Sequence, residues 1–264
     1  MRASSSPSST AALLRQVDRI WLFLDYDGTL DDFAPTPSDV LPNPEVIDLV
    51  GALAKNRRFR VAVVSGRRLD QIQQLLPVPG LLLAGTYGLE MRTADGQDWT
   101  RLAYEEVRPY LDTLVKDWSN LLIDHPKFIL EDKGWSLAIH GRYADEQDAK
   151  MVIGAARELA RRSVPDTEFR LLGGHKFFEV APRVANKGEA VGHILERFHW
   201  ADSVPLYFGD DDKDVEAFPI IQERGGYTCL VGHATAGGSV DFRLPSPDAV
   251  RAWLWKLTAA APDL

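Results

Sequence analysis

The chain has 264 residues, of which 45% are hydrophobic and 26% charged, a balance typical of a globular protein with one large or two smaller domains. Its net charge of −8 argues against broad binding to nucleic acid, because such binding requires a basic face that displaces counterions. A single cysteine, Cys229, excludes an internal disulfide, and no apolar stretch reaches the length of a membrane helix, so we expect a cytoplasmic protein.

The chain begins with Met1–Thr10, which are mostly Ser, Pro and Ala, and we predict a disordered tail over residues 1–12. Beyond the tail, short apolar runs alternate with helical patterns. Because these runs lack polar alternation, they predict strands buried on both faces, as in a parallel sheet. The predicted strands are Ile20–Leu24, Val61–Val64, Leu81–Ala84, Leu206–Phe208 and Tyr227–Val231, and the predicted helices are Glu45–Lys55, Leu69–Leu76, Lys187–Phe198 and Val215–Gln222. This order predicts a doubly wound, Rossmann-like α/β domain with ligands at the carboxyl ends of its strands.

The middle of the chain has a different pattern, which reads helix, two strands, helix, two strands. We predict turns at Gly134 and at Gly173-Gly174, which would join each strand pair as a hairpin. The helices are predicted over Glu105–Leu122 and Ala144–Arg162, and the strands over Lys127–Asp132, Trp135–His140, Phe169–Leu172 and Phe177–Val180. The order therefore predicts an α+β domain at residues 104–182, inserted between core segments 1–103 and 183–264.

The first chemical motif is Asp25-Tyr26-Asp27-Gly28-Thr29-Leu30, directly after a predicted strand. Asp25 can act as a nucleophile for phosphoryl transfer, and Asp27 can protonate the leaving oxygen and then activate water. Gly28 permits a sharp turn, and Thr29 can bind a phosphate oxygen. An Asp-Gly turn after a strand is also common without any catalytic role.

Three further motifs follow in chain order. Ser65-Gly66-Arg67 opens a helix after the second strand, where it would bind a phosphate oxygen or simply cap the helix. Lys187 begins another helix and would be a phosphate clamp or a solvated charge. The run Gly209–Asp214 follows a buried strand, and its like charges predict a bound cation unless it forms a solvated loop. Hard oxygen ligands favour Mg²⁺.

In this order, the four motifs resemble those of the haloacid dehalogenase superfamily of phosphotransferases. The resemblance implies Asp25 as the nucleophile and Asp27 as the general acid and base. It implies an inserted cap domain between the second and third motifs. It also implies phosphate contacts from Thr29, Ser65, Gly66 and Lys187, and a magnesium site formed by Asp25, the Asp27 backbone carbonyl and Asp210 with support from Asp211 and Asp214.

A narrower resemblance is to the trehalose-6-phosphate phosphatase family. The motifs that carry it are Gly209–Asp211, Asn186-Lys187-Gly188, Glu131-Asp132-Lys133-Gly134 with Ser136-Leu137-Ala138, and Lys176-x-x-Glu179-Val180. Tyr87, Gly141 and Ala181 stand where that family usually has His, Tyr and Arg. We expect contacts with the sugar from Lys133, His140, Arg142, Lys176, Glu179 and Asn186.

The resemblance predicts a monomeric Mg²⁺-dependent phosphatase that hydrolyses trehalose 6-phosphate and binds neither nucleic acid nor membrane. Glucosylglycerol phosphate and sucrose phosphate are alternative substrates, because of the altered positions above. A phosphomutase or a non-catalytic module that binds a sugar phosphate would share several of the same motifs. Phosphate release without an added bisphosphate distinguishes a phosphatase from a mutase.

Overall fold

The computed structural model describes residues 6–34, 36, 39–232 and 239–259. The chain divides into two compact units. Unit 1 comprises the chain up to Trp99 and from Asn186 onward, and unit 2 comprises Thr100–Ala185. The boundaries predicted for the inserted domain, Tyr104 and Pro182, lie just inside the limits of unit 2.

The core of unit 1 is an eight-stranded sheet. Its strands, numbered in chain order, are β1 (Ile20–Leu24), β2 (Phe59–Val64), β3 (Leu82–Gly85), β4 (Glu90–Arg92), β5 (Asp98–Thr100), β10 (Val204–Gly209), β11 (Tyr227–Val231) and β12 (Phe242–Leu244). They lie in the order β12-β11-β10-β1-β2-β3-β4-β5, with parallel pairing from β12 to β3 and antiparallel pairing of β4 with β3. The winding direction reverses between β1 and β10, where folds of this type bind ligands.

Both faces of this sheet are buried, as the apolar runs predicted. Ile20, Leu22 and Leu24 of β1 belong to one hydrophobic cluster, whereas Trp21 and Phe23 belong to the cluster on the other face. Successive side chains of a strand point to opposite faces, so a strand covered on both sides favours apolar residues at successive positions. The predicted doubly wound α/β class is therefore confirmed.

The helices of unit 1 connect and cover these strands. They are α1 (Pro7–Leu14), α2 (Pro44–Lys55), α3 (Leu69–Leu75), α6 (Lys187–Arg197), α7 (Asp212–Val215), α8 (Phe218–Glu223) and α9 (Pro247–Thr258), with a short turn at Thr86–Gly88. The side chain of Asn43 caps α2, and that of Asn186 caps α6. Among the described residues, no helix combines the length and the apolar character that crossing a membrane requires.

The structure corrects two predictions in unit 1. Residues 7–12 of the predicted disordered tail belong to α1, because Leu14 packs into the core and Ser6 caps the helix, whereas residues 1–5 lie outside the described residues. The helix predicted over Val215–Gln222 is two helices, α7 and α8, with Pro219 in the first turn of the second. The short strands β4, β5 and β12 and the helix α9 were not predicted.

Unit 2 has a four-stranded antiparallel sheet and two helices. Its elements are α4 (Tyr104–Leu122), β6 (Ile129–Asp132), β7 (Leu137–His140), α5 (Glu146–Ser163), β8 (Phe169–Gly174) and β9 (Phe177–Pro182), and the sheet order is β6-β7-β9-β8. The second hairpin turn was misplaced: Gly173 and Gly174 pair with β9, and the turn lies at His175-Lys176. Lys176 adopts a φ of 53° there, a conformation that this tight turn imposes.

Candidate active site

The carboxyl ends of three neighbouring strands bring the predicted motifs together in unit 1. Asp25 follows β1 directly, and its backbone N–H donates to the carbonyl oxygen of Phe208 in β10. Ser65 follows β2, and Asp210 follows β10, the two strands that pair with β1. The parallel arrangement therefore gathers residues that are far apart in the chain at one edge of the sheet.

A buried lysine joins two carboxylates at this edge. The Lys187 ammonium lies 2.8 Å from Oδ1 of Asp25 and 2.6 Å from Oδ1 of Asp214. Burial by itself lowers the pKa of Lys187, but Asp214 and Asp25 outweigh it and raise that pKa well above the ordinary value. Lys187 is therefore a permanent positive charge beside Asp25.

Asp214 is the centre of a hydrogen-bond network. Its Oδ1 accepts from the Lys187 ammonium and from the Tyr207 hydroxyl at 2.7 Å, while its Oδ2 accepts from the backbone N–H groups of Asp210 and Asp211. Four donors thus fix a side chain that has no exposed surface. Burial is the main reason why the pKa of Asp214 lies well above its ordinary value. The network fixes the orientation of the chain that carries Asp210.

Asp211 is engaged at the beginning of α7. Its Oδ1 accepts from the backbone N–H groups of Lys213 and Asp214, and its Oδ2 accepts from the Lys213 ammonium at 2.9 Å. Although burial opposes ionisation, Lys187 and Lys213 lower the pKa of Asp211 to about 2. Asp211 therefore acts as an ionised helix cap whose oxygens are both occupied.

Asp27 forms a two-point ion pair with Arg67. The Arg67 Nε lies 2.6 Å from Oδ2 of Asp27, and Nη2 lies 2.7 Å from Oδ1. The backbone N–H of Arg67 also donates to the hydroxyl of Ser65, at 3.1 Å. The side chains of Arg67 and Asp27 are only 11% and 21% exposed. The first and second motifs are thus connected directly by side chains.

Thr29 and Gly28 both adjoin Asp210. The buried Thr29 hydroxyl donates to Oδ1 of Asp210 at 3.4 Å. Gly28 has a φ of 76°, and a Cβ at that position would lie 2.6 Å from Cγ of Asp210. Only glycine combines that conformation with so close an approach. The turn after β1 therefore packs directly against Asp210, which follows β10.

The geometry and charges fit a divalent cation. One oxygen each from Asp25, Asp210 and Asp214 lie within 4.8 Å of one another. Within the described cluster, the ammonium groups of Lys187 and Lys213 lie among four carboxylates, and Lys213 also pairs with the exposed Asp212, so at least two negative charges are without compensation. The four carboxylates are Asp25, Asp210, Asp211 and Asp214. Burial raises the pKa of Asp25 to about 8 and that of Asp210 to about 7. A bound cation would replace the protons that the raised pKa values of Asp25 and Asp210 favour.

The residues expected to contact sugar are dispersed. Within unit 2, the buried Glu179 accepts from Lys133 at 3.1 Å and from Ser136 at 2.6 Å, and His140 pairs with Glu131. Lys176 donates to the Ala144 carbonyl oxygen at 2.7 Å, and Arg142 is exposed in the turn after β7. Asn186 lies in unit 1 and caps α6, so it does not share a unit with the others.

Sequence reasoning missed the roles of Tyr207 and Arg67 in this network. A tyrosine within an otherwise apolar buried strand is a usable signal, because a buried phenol needs a hydrogen-bond partner. The Asp27–Arg67 pair spans 40 residues and left no comparable signal in the sequence. Ser136 and Glu131 belong to quoted motifs, yet their contacts with Glu179 and His140 were not foreseen.

The reversal of winding between β1 and β10, with carboxylates after both strands, is found in the haloacid dehalogenase class of fold. A haloacid dehalogenase-like hydrolase from Bacteroides thetaiotaomicron has a similar fold, with a TM-score of 0.63 over 90% of this chain and 99% of that one at 15% identity. The family model described as trehalose-phosphatase matches residues 23–247. The chain belongs to the trehalose-phosphatase family, whose members are phosphoric monoester hydrolases.

Individual relatives agree with this family. A probable trehalose-phosphate phosphatase of Sinorhizobium fredii is 31% identical over 245 residues, covering 91% of this chain and 88% of the relative. Trehalose-phosphate phosphatase B of Arabidopsis thaliana is 28% identical to this chain. The match covers 90% of this chain and 66% of the Arabidopsis protein. The C-terminal domain of Candida albicans trehalose-6-phosphate phosphatase has the same fold, with a TM-score of 0.86 at 19% identity, covering 98% of this chain and 99% of that one.

Proposed function

We propose that the chain is a phosphatase that hydrolyses a sugar phosphate with Mg²⁺, through an aspartyl-phosphate on Asp25. The observation that carries this proposal is the Asp25 carboxylate, held 2.8 Å from Lys187 and grouped with Asp210 in a cluster that fits a divalent cation. Trehalose 6-phosphate is the first substrate that we expect, because the family and its named relatives act on trehalose phosphate.

Asp25 and Asp210, with the Asp27 backbone carbonyl, would hold Mg²⁺, which would supply positive charge between the nucleophile and the phosphate dianion. Asp211 and Asp214 would support that site rather than bind the ion. Their oxygens already accept hydrogen bonds from the backbone and from Lys187, Lys213 and Tyr207.

The phosphate would be held by groups of unit 1. The Lys187 ammonium has three hydrogens, and its bonds to Asp25 and Asp214 use two of them, so one can bind a phosphate oxygen. The Ser65 hydroxyl accepts from the Arg67 N–H, and its own proton can be donated to phosphate. Gly66 would contribute its backbone amide. Thr29 would have to rotate its hydroxyl away from Asp210 to do the same.

The reaction would proceed in two displacements. In the first, a carboxylate oxygen of Asp25 attacks phosphorus, the bond from phosphorus to the sugar oxygen breaks, and Asp27 gives its proton to that oxygen. In the second, Asp27 takes a proton from water, whose oxygen attacks phosphorus, and the bond to Asp25 breaks. Inorganic phosphate leaves, and both aspartates return to their starting state.

Sugar recognition is assigned to polar groups of unit 2, namely Lys133, His140, Arg142, Lys176 and Glu179, with Asn186 of unit 1. This assignment is supported by charged groups such as the Lys133–Glu179 pair, whose side chains are 8% and 0% exposed. Burying such a pair costs desolvation energy, so it suggests a role beyond stability.

The test is phosphate release from a panel of sugar phosphates with Mg²⁺ and with a chelator. We expect release from trehalose 6-phosphate that stops on chelation and needs no added bisphosphate. If sucrose phosphate or glucosylglycerol phosphate is hydrolysed well and trehalose 6-phosphate is inert, the phosphatase proposal holds and the substrate is wrong. No release from any member of the panel would overturn the proposal.

A further inference from the structure

We propose that Arg67 is a positioning residue for Asp27, and that the loop after β3 braces Arg67 for this task. This inference rests on the proposed function, in which Asp27 is the general acid and base. Arg67 contacts both oxygens of the Asp27 carboxylate, at 2.6 and 2.7 Å. A two-point contact from a planar guanidinium fixes both the position and the rotation of a carboxylate, whereas a single ammonium fixes only the distance.

The contact with Arg67 leaves part of the Asp27 carboxylate accessible to the reacting groups. A carboxylate has about four lone-pair sites, and the two bonds from Arg67 occupy one on each oxygen. The remaining sites can contact the leaving oxygen or the attacking water. General acid and base catalysis depends on such a group lying within hydrogen-bond reach of the reacting oxygen, so a fixed orientation is the property that Arg67 would supply.

The Arg67 backbone is held by its own turn and by the loop after β3. Its N–H donates to the Ser65 hydroxyl, and its carbonyl oxygen accepts from the Thr86 N–H at 2.6 Å. The Tyr87 N–H donates to the Ser65 carbonyl oxygen at 2.8 Å. The loop after β3 is therefore bonded to both ends of the Ser65–Arg67 turn.

That loop has an unusual backbone. Thr86 and Tyr87 have φ values of 47° and 56°, a region that residues with side chains rarely adopt. The Thr86 hydroxyl donates to Glu90 at 2.7 Å, and the Tyr87 ring packs so closely on Gly66 that a Cβ there would lie 2.8 Å from it. Two strained residues in succession persist only where surrounding contacts hold them, and such strain clusters at functional sites. Two of the bonds that hold this loop, from the Thr86 and Tyr87 N–H groups, also fix the Ser65–Arg67 turn.

The experiment is a double-mutant cycle with Arg67→Ala, Asp27→Asn and the double variant. The measured quantity is kcat/KM, which reports the first displacement, for the sugar phosphate that the wild type hydrolyses best and for 4-nitrophenyl phosphate. We expect Arg67→Ala to lower kcat/KM for the sugar phosphate by about 10²-fold, the lower end of what acid catalysis contributes. The loss with the aryl ester should be at least about tenfold smaller, because nitrophenolate leaves without a proton.

Adding Arg67→Ala to Asp27→Asn should change the sugar-phosphate activity by less than about threefold, since a residue that acts through Asp27 has nothing left to position. Losses that multiply in the double variant, or equal losses with both substrates, would overturn the inference and indicate direct contact with phosphate. Arg67→Lys is the control for misfolding, because it keeps the positive charge. It should lower kcat/KM for the sugar phosphate less than Arg67→Ala does, with an unchanged Tm. Failure of the proposed function is distinct, because the wild type itself would then release no phosphate.

Discussion

The Tyr207 hydroxyl donates a 2.7 Å hydrogen bond to Oδ1 of Asp214, the same oxygen that accepts from the Lys187 ammonium. Neither Tyr207 nor Asp214 has exposed surface. Burial and, to a smaller extent, the Asp214 carboxylate raise the pKa of Tyr207 well above its ordinary value. The phenol therefore stays protonated and donates the hydrogen bond. Tyr207 therefore belongs to the same buried network as the proposed nucleophile.

Tyr207→Phe should remove this donor without leaving a cavity. Asp214 keeps three other donors, so we expect the free energy of unfolding to fall only by about 1.5–3 kcal/mol, the value of one hydrogen bond to a charged group. Urea denaturation of the metal-free protein measures it. Tyr143→Phe is the matched control, since Tyr143 is 57% exposed and should change stability by less than about 0.5 kcal/mol. Equal effects of the two substitutions would contradict the assigned role.

Asp25→Asn should abolish phosphate release while preserving the fold. The amide is a poor nucleophile and a poorer metal ligand, so we expect a loss of more than about 10³-fold in kcat. Since Lys187 keeps its bond to Asp214, the metal-free Tm should not fall. Asp48→Asn on α2, which changes an exposed carboxylate, is the control for charge alone. Substantial turnover by folded Asp25→Asn would refute the nucleophile assignment.

The stability of the metal-free protein should decrease as pH rises from about 5 to 8. Burial raises the pKa of Asp25 from 3.8 to about 8 and that of Asp210 from 3.8 to about 7. The folded state therefore binds these protons more tightly than the unfolded state, and the stabilisation is lost as pH passes through 7 and 8. Asp211, with a pKa of about 2, contributes only below this window. Chemical denaturation at several pH values in the presence of a chelator measures the slope.

Mg²⁺ should reverse this dependence, because the ion competes with protons for the same oxygens. The rise in Tm on adding Mg²⁺ should be larger at pH 8 than at pH 6. Asp25→Asn should flatten the metal-free slope and weaken the response to Mg²⁺, since it removes one of the carboxylates whose pKa burial raises. A metal-induced shift independent of pH would argue against a site built from Asp25 and Asp210.

Local sequence patterns predict the strands that are buried on both faces, but not the short strands beside them or the first helix. β1 and β11 coincide with the predicted ranges, because a strand covered on both faces leaves an unbroken apolar run. The strands β4 and β5, on one side of the sheet, are short and partly exposed, so they have no such run, and only pairing with β3 and with each other defines them. The helix α1 was missed because its composition is that of a tail, and Leu14 is ordered through contacts with distant residues.

In the candidate site, too, local motifs were predictable and contacts between distant residues were not. Asp25, Ser65, Lys187 and Asp210 were predicted from motifs that each occupy a few consecutive residues after a strand or before a helix. The contacts between side chains were not predictable, because they depend on rotamers and on distances across the sheet. Glu179 is an example: its motif suggested a contact with the sugar, and its hydrogen bonds to the buried Lys133 and Ser136 were not foreseen.

That burial decides how sugar recognition by unit 2 should be tested. Glu179→Ala would leave the Lys133 ammonium buried without its carboxylate, which costs about 3–5 kcal/mol and would confuse recognition with unfolding. Glu179→Gln keeps the shape and a hydrogen bond, and Lys176→Ala removes an ammonium that is 14% exposed. These two variants are therefore preferable, with Lys127→Ala as the control, since Lys127 is 56% exposed in the same unit.

Each variant should lower kcat/KM for the sugar phosphate by about 10- to 100-fold, because one hydrogen bond to a charged group is worth about 1.5–3 kcal/mol. Activity toward 4-nitrophenyl phosphate should change little, because that ester has no sugar hydroxyls to bind. The ratio of the two activities in each variant therefore isolates recognition from chemistry. Equal losses with both esters would mean that unit 2 supplies catalytic groups, and no loss with either would mean that the sugar is bound by other residues.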